Sequence, residues 1–169
     1  LISSRDGING STTVGTVGQS DIVTANIGLA ALGSYGGATR THLLLPTSPA
    51  VEAANDVNCA AAPVSNLDQR GLERPADGNG DASAVCDIGS VEIRAAIVLA
   101  DGATAIPNGG SVNFGATVRG TPINKSLTIS NPGEAPLVID DASLSLPAGF
   151  ALGTGFAATV IAPNATTTL

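Results

Sequence analysis

Glycine and proline interrupt this chain about once every five or six residues, and that frequency opposes long helices. The 169 residues include 21 Gly and 10 Pro. Between these breaks the apolar segments are only strand-length, and none is followed by a helical periodicity. We therefore predict an all-β fold.

The side chains available to fill a core are small or β-branched. Hydrophobic residues make up 43% of the chain, but only three Phe and one Tyr are aromatic, and Met and Trp are absent. Such side chains fit stacked or sandwiched sheets better than an enzyme with a deep aromatic pocket.

The acidic composition excludes some partners. With a formal net charge of −7, the chain repels phosphate backbones and anionic lipid surfaces, so we expect no nucleic acid partner. The longest apolar run, residues 95–100, is far shorter than the roughly 20 residues that span a bilayer, so we expect no membrane-spanning segment. Because the chain begins with Leu1 and ends within a strand-like run, we interpret it as a piece of a longer polypeptide, whose other domains are its first expected partners.

A change in residue composition and pattern near residue 94 predicts two domains, residues 1–94 and 95–169. The first contains a polar block, residues 41–92, with most of the net negative charge, both cysteines and the only histidine. The second has short strand-like segments separated by turn signals, as in a β-sandwich. These segments are residues 97–99, 111–114, 125–130, 137–140, 150–152, 159–161 and 166–169. Asn131-Pro132-Gly133-Glu134 predicts a type II turn with Gly133 at positive φ.

Cys59 and Cys86 lie in loop-like polar surroundings. We predict that they form one disulfide in an oxidising compartment. The alternative is a pair of buried free thiols.

Charged residues of the polar block have two interpretations. Asp68, Arg70 and Arg74 are either part of a lyase or hydrolase cleft, or a structural network in which the arginines bind carboxylates and loop carbonyls. We favour the structural network, because nothing nearby supplies an activated nucleophile or a poised acid. Asp87 and Glu92 are assigned to the same network.

His42 is the only histidine in the chain. A catalytic triad or a zinc site needs further Ser, Cys, His or carboxylate partners, and neither set assembles if both cysteines form a disulfide. We therefore assign His42 to the structural network and predict no catalytic residues.

A possible calcium site is the one cofactor suggestion in the sequence. Asp77-Gly78-Asn79-Gly80-Asp81 places Asp77, Asn79 and Asp81 at alternate positions, as at the start of a Ca²⁺ loop. The rest of an EF-hand pattern fails at Ala82 and Ile88. A looser Ca²⁺ site and a solvated glycine-rich turn both remain open.

A segment of roughly residues 20–93, which includes the polar block, resembles the choice-of-anchor Q module. The matching motifs, in order, are Gly36-Gly37, Thr39-x-Thr41-His42, Leu44-x-x-x-Ser48-Pro49-Ala50, Cys59, Asp68-Gln69-Arg70-Gly71-x-x-Arg74-Pro75, Asp77-Gly78 and Cys86-Asp87-Ile88-Gly89-Ser90-Val91-Glu92. The resemblance implies the last rungs and the extended cap of a right-handed parallel β-helix on a bacterial surface. The sequence departs from the family at residues 26–27 and 51–54, so no role is inherited by Glu52.

The second half resembles the choice-of-anchor D module, a relative of the ASH and major-sperm-protein group of immunoglobulin-like sandwiches. The matching residues are Val112-Asn113-Phe114-Gly115, Gly120-Thr121-Pro122, Leu127-Thr128-Ile129-Ser130-Asn131-Pro132-Gly133 and Ile161-Ala162-Pro163. The family's final strand would follow Leu169, so we expect an incomplete sandwich with an exposed edge.

Together these resemblances imply a non-catalytic, adhesin-like structural segment of a secreted or cell-surface, outer-membrane-associated bacterial protein. It would cap a β-helix and link it to further modules, and its outside partners would be the cell envelope or a host or matrix surface. The alternatives are the C-terminal part of a β-helical polysaccharide lyase or glycosidase whose active site lies upstream, and a carbohydrate- or protein-binding module.

Overall fold

The computed structural model describes Ile22, residues 25–140 and residues 144–169. This part of the chain contains one short helix and six strands. They are α1 Asp56–Ala60, β1 Val98–Asp101, β2 Thr104–Ile106, β3 Thr128–Ser130, β4 Leu137–Val138, β5 Val160–Ile161 and β6 Thr166–Thr168. The strands pair in antiparallel fashion. The predicted all-β class is confirmed, since the regular structure is strands with almost no helix.

The chain divides into two compact units, Leu1–Arg94 and Ala95–Leu169. In the described part of the first unit, strand pairing is limited to four isolated bridges. Few backbone groups are therefore satisfied by sheet ladders, and hydrogen bonds within turns and from side chains satisfy many of the others. Residues 1–21, 23 and 24, which include the start of the region expected to form β-helix rungs, lie outside the described residues.

The core of the first unit combines apolar and charged side chains. Its buried apolar residues are Leu44, Ala50, Cys59, Cys86, Val91 and Ile93, and its buried charged residues are Asp68, Arg74, Asp87 and Glu92. Buried charges are tolerated only when they are paired and hydrogen-bonded. The position of these four residues therefore decides how the unit is held together.

Helix α1 presents Cys59 to that core. The Oδ1 atom of Asn55 accepts hydrogen bonds from the backbone N–H groups of Val57, at 2.9 Å, and of Asn58, at 3.4 Å. These bonds cap a helix of only five residues, too short to be stable alone. Residues outside the helix must therefore help to hold it.

The disulfide between Cys59 and Cys86 is present, and the prediction that the two residues pair is confirmed. The two Cα atoms lie 6.7 Å apart and are separated by 27 residues in sequence. On the chain-entropy model, closing such a loop contributes about 3.5 kcal/mol. The alternative of two free thiols is wrong.

The segment 36–52 is extended only in part. Residues 41–45 are extended and pair with residues 28–33. The chain then folds into consecutive turns, in which Ser48 N donates to Leu45 O at 2.8 Å and Val51 N donates to Ser48 O at 3.1 Å. Pro46 and Pro49 block helix here, but they also suit turns.

The second unit contains a four-stranded sheet in the order β2-β1-β3-β6 and a separate pair, β4-β5. Ile129 in β3 is buried and lies opposite Leu99 of β1 and Thr167 of β6. Its neighbours Thr128 and Ser130 are half-buried, as expected when successive side chains of a strand point to opposite faces.

Five of these strands overlap segments predicted from the sequence, but residues 111–114 and 150–152 are not strands. Phe114 and Phe150 instead pack edge to face, with ring centroids 5.1 Å apart. Strand β2 was missed. It pairs with β1 across a tight turn in which Gly102 has φ 58°, and its short Thr104-Ala105-Ile106 run carries little strand signal.

The turn after β3 is not the predicted type II turn, because Gly133 does not have positive φ. Asn131 organises it instead. This side chain is fully buried, and its Nδ2 donates to Ala135 O at 2.8 Å and to Ile161 O at 2.9 Å. Its Oδ1 accepts from the backbone N–H groups of Gly133 and Ala96, each at 3.0 Å.

Among the described residues, there is no helix whose length and apolar character would let it cross a membrane.

Candidate functional site

Asp68 closes a tight loop at residues 68–72. Its Oδ1 accepts from Arg70 N at 2.7 Å and Leu72 N at 3.0 Å, and its Oδ2 accepts from Arg70 Nε at 2.9 Å and Glu92 N at 3.2 Å. Gly71, with φ 80°, permits the turn between them. Burial alone would raise the pKa of Asp68. The N–H groups of Leu72, Arg70 and Glu92 and the Arg70 guanidinium outweigh burial and hold that pKa below 3.8.

Arg74 links this loop to residues 87–92. Its Nε donates to Glu92 Oε2 at 3.0 Å, and its Nη2 donates to Asp87 O at 2.9 Å. Gly89 O accepts from both terminal nitrogens of the guanidinium at 3.3 Å. The planar cation therefore satisfies one carboxylate and two backbone carbonyls of a segment that has no sheet ladder.

Glu92 is completely buried and fully engaged. Its Oε1 accepts from Ala76 N at 2.8 Å, and its Oε2 accepts from Asp87 N at 3.0 Å as well as from Arg74. Its backbone carbonyl also accepts from Arg70 Nη2 at 2.5 Å. Both arginines of the polar block therefore converge on this one residue.

Asp87 is the second buried acid beside Arg74. Its Oδ1 accepts from Glu52 N at 2.8 Å, and its Oδ2 accepts from Ile93 N at 2.7 Å. Burial and the negative charge of Glu92 raise the pKa of Asp87 to about 6, against the opposing effects of those two N–H groups and of Arg74. The Asp87 carboxylate thus ties together two segments that lie 41 positions apart, around Glu52 and Ile93.

We call these five side chains the cap network: Asp68, Arg70, Arg74, Asp87 and Glu92. Every carboxylate oxygen in the network accepts at least one N–H from the chain itself. A general acid, base or nucleophile must instead reach the proton or atom on which it acts. In this geometry the carboxylates of the cap network hold loop segments of the first unit together.

His42, which we assigned to this network from the sequence, lies outside it. The side chain is exposed, and its Nδ1 pairs with Ala30 O at 2.8 Å. The preceding residue, Thr41, is the one that points inward, where its Oγ1 lies 2.8 Å from Ser90 Oγ. Alternation along an extended segment explains the error, because neighbouring residues face opposite sides.

The loop predicted as a possible Ca²⁺ site gathers three carboxylates. Ligand atoms of Glu52, Asp77 and Asp81 lie within 4.8 Å of one another. Oxygen ligands of this kind suit a hard cation. Glu52 was not predicted, because it lies 25 residues before Asp77 and the family comparison gave position 52 no role.

Asn79 occupies the middle of this acidic group as a hydrogen-bond donor. Its Nδ2 donates to Glu52 Oε2 and to Asp81 Oδ2, while its Oδ1 accepts from Asp81 N at 2.8 Å. Asp77 meanwhile accepts from Gly80 N at 2.6 Å. The side-chain amide of Asn79 thus bridges the carboxylates of Glu52 and Asp81, and Ca²⁺ binding stays a prediction.

Asp56 is a further residue that sequence reasoning missed. Its Oδ1 accepts from Cys86 N at 2.8 Å, so helix α1 holds the Cys86 segment by a hydrogen bond as well as by the disulfide. Its position directly after the Asn55 cap is a recognisable signal for a helix start, but not for this long-range partner.

Comparisons with protein-family models, with curated proteins and with solved structures found no match for this chain.

Proposed function

We propose that this chain is a non-catalytic structural segment of a secreted or cell-surface bacterial protein. Its first unit closes the end of a parallel β-helix, and its second unit is an immunoglobulin-like connector to further modules. The whole polypeptide has an adhesin-like role. The ordered motifs of the choice-of-anchor Q and D modules support this proposal.

The observation that carries the proposal is the cap network. Its three acids and two arginines form hydrogen bonds with backbone groups of the loops and with one another. A solenoid end exposes an apolar face and an open strand edge, and covering both requires an irregular segment with a defined shape. A network of buried charges can specify that shape where sheet ladders do not.

The disulfide supports the extracellular part of the proposal. Disulfides persist in oxidising compartments and are uncommon in the cytosol. Cys86 is fully buried and Cys59 nearly so, as expected of a structural bridge rather than a reactive thiol pair.

Antiparallel pairing in the second unit supports the connector role. The sheet β2-β1-β3-β6 and the pair β4-β5 have the strand directions that an immunoglobulin-like sandwich uses. Such domains commonly act as spacers between modules.

The capping role is tested by deletion within the full native polypeptide that carries this chain. Removing residues 51–93 deletes the cap network, and we expect soluble aggregates in size-exclusion chromatography with light scattering. Removing residues 95–169 is the matched control, and we expect a monodisperse protein. Equal behaviour of the two deletions would contradict the capping role.

The non-catalytic role is tested separately on the same full polypeptide. We expect no effect of Asp87→Asn, Glu92→Gln or Asp68→Asn on any depolymerisation of acidic or neutral polysaccharides, measured as new reducing ends. Loss of such an activity in a variant that keeps its circular dichroism spectrum would overturn the proposal and favour the enzyme alternative.

A further inference from the structure

A short antiparallel ribbon in the first unit carries two basic side chains on one rim. Residues 28–33 pair with residues 41–45. Thr41 points inward, whereas Arg40 and His42 on either side of it are exposed and border the same cavity. The ribbon therefore presents a guanidinium and an imidazole together.

Backbone carbonyls of the facing segment, residues 28–33, hold both basic groups in place. Arg40 Nη2 donates to Leu32 O at 2.8 Å. His42 Nδ1 lies 2.8 Å from Ala30 O, and because a carbonyl can only accept, Nδ1 carries the hydrogen. The Nε2 atom of His42 and the other nitrogens of Arg40 form no hydrogen bond with any described residue.

The charge of Arg40 is not neutralised within the described part of the chain. Arg40 forms no ion pair with a described residue, in contrast to Arg70 with Asp68, Arg74 with Glu92 and Lys125 with Asp101. A guanidinium that has no ion pair and keeps unused N–H donors is a preferred partner for carboxylates. In a chain of net charge −7, such a cationic rim is a local exception.

The cavity beside this rim is a depression half open to solvent, and its lining is more apolar than polar. Its volume is about 370 Å³, within the range of small-ligand sites. Leu44 and Val91, which are buried, and Leu29 and Leu32, which are 40% and 47% exposed, contribute to its lining. A ligand that fits must therefore combine an aliphatic part with an anionic end.

We propose that this cavity binds the carboxyl terminus of a peptide whose last residue is aliphatic. The terminal carboxylate accepts from the nitrogens of Arg40 that Leu32 O does not occupy, beside the His42 ring, and the last side chain lies against Leu29, Leu32 and Leu44. Charge complementarity selects a carboxylate, and the leucine lining selects an aliphatic neighbour. This ligand site goes beyond the structural role proposed above and does not depend on it.

N-acetyl-leucine is the probe that tests the site. Titrated at millimolar concentrations into the intact protein, it should shift the NMR signals of the His42 ring and of the Leu29, Leu32 and Leu44 methyl groups. N-acetylleucinamide, which keeps the shape but not the charge, should bind roughly tenfold more weakly, as expected for loss of a charge-assisted hydrogen bond. N-acetylalanine, which keeps the carboxylate but has only a methyl side chain, should also bind more weakly.

Arg40→Gln should weaken binding of N-acetyl-leucine roughly tenfold. Arg119→Gln is the matched control, because it removes an exposed arginine of the second unit, and it should leave binding unchanged. Equal binding of acid and amide, equal effects of the two substitutions, or an absence of shifts in these signals would each overturn the proposal. An absence of shifts is also the result expected if the first unit only caps a β-helix and binds no ligand.

Discussion

Arg74 is a buried cation between two segments of the polar block, with one carboxylate and two backbone carbonyls as acceptors. Its side chain is 6% exposed and that of Glu92 is not exposed at all. Taking such a pair out of water costs free energy, and the cost is offset only when every group finds a partner. At the scale of single residues, the first unit is therefore most sensitive to losing one member of the cap network.

Arg74→Met should lower the free energy of unfolding by about 3–5 kcal/mol, because it leaves Glu92 buried without its cation. Urea unfolding followed by circular dichroism measures the change. Arg119→Met, at an exposed position of the second unit, is the control and should change stability little. A loss below about 1 kcal/mol for Arg74→Met would contradict the central place that we give to this residue.

Asp87 should give the protein an unusual dependence on pH. Its folded-state pKa of about 6 lies above the ordinary value of 3.8, so the folded protein binds a proton more readily than the unfolded chain does. The stability from this group is therefore fully present below pH 3.8 and is lost as pH rises through about 6. Asp68, with its lowered pKa, acts in the opposite direction, and its stability is lost as pH falls below 3.8.

Asp87→Asn removes the first of these effects. Relative to this variant, the unmodified protein should gain up to about 3 kcal/mol in free energy of unfolding as pH falls from 7 to 4. The variant itself should be less stable at every pH, since an amide can accept only one of the N–H groups of Glu52 and Ile93. Parallel stability curves for the two proteins over this pH range would show that Asp87 does not titrate there.

At the scale of elements, the turn between β3 and β4 depends on a side chain rather than on glycine geometry. Asn131 makes four hydrogen bonds that join the segment before β1, the turn itself and the end of β5. Because the side chain is fully buried, removing it leaves backbone donors and acceptors without partners.

Asn131→Ala should therefore destabilise the second unit by about 2–4 kcal/mol. Thermal unfolding measures the loss, with the exposed Asn124→Ala as a control that should have little effect. Equal effects of the two substitutions would mean that the amide of Asn131 is not what holds the turn.

Local sequence patterns predicted most of the strands, whereas contacts between residues far apart in the sequence were not predicted. The strand segments predicted at residues 97–99 and 125–130 overlap β1 and β3, and the pairing of the only two cysteines also follows from the sequence. Neither the contact of Glu52 with Gly78 and Asn79 nor the burial of Asn131 follows from neighbouring residues. Strand β2 was missed for the related reason that pairing with β1, and not its own composition, makes it a strand.

At the scale of the whole molecule, the chain consists of two units with different means of support. The first depends on a disulfide and buried charges, and the second on antiparallel sheets and the Asn131 turn. We expect calorimetry to show two transitions. Reduction of the Cys59–Cys86 bridge should lower the midpoint temperature of one transition by more than about 10 °C, because about 3.5 kcal/mol is lost from a small unit.

The other transition should not respond to reductant but should respond to Asn131→Ala. Intact mass with and without reductant provides the control, since oxidised and reduced proteins differ by two hydrogens. A single transition that moves with both treatments would mean that the two units unfold as one.

The hydrogen bonds of Asn79 also bear on how the protein ages. Asn-Gly sequences deamidate when the glycine nitrogen attacks the side-chain carbonyl carbon, and Asn79-Gly80 and Asn108-Gly109 are two such pairs. Gly80 N is held by Asp77, and both ends of the Asn79 amide are engaged, so the nitrogen cannot easily reach that carbon. Peptide mapping after prolonged storage should therefore find isoaspartate at residue 108 well before residue 79.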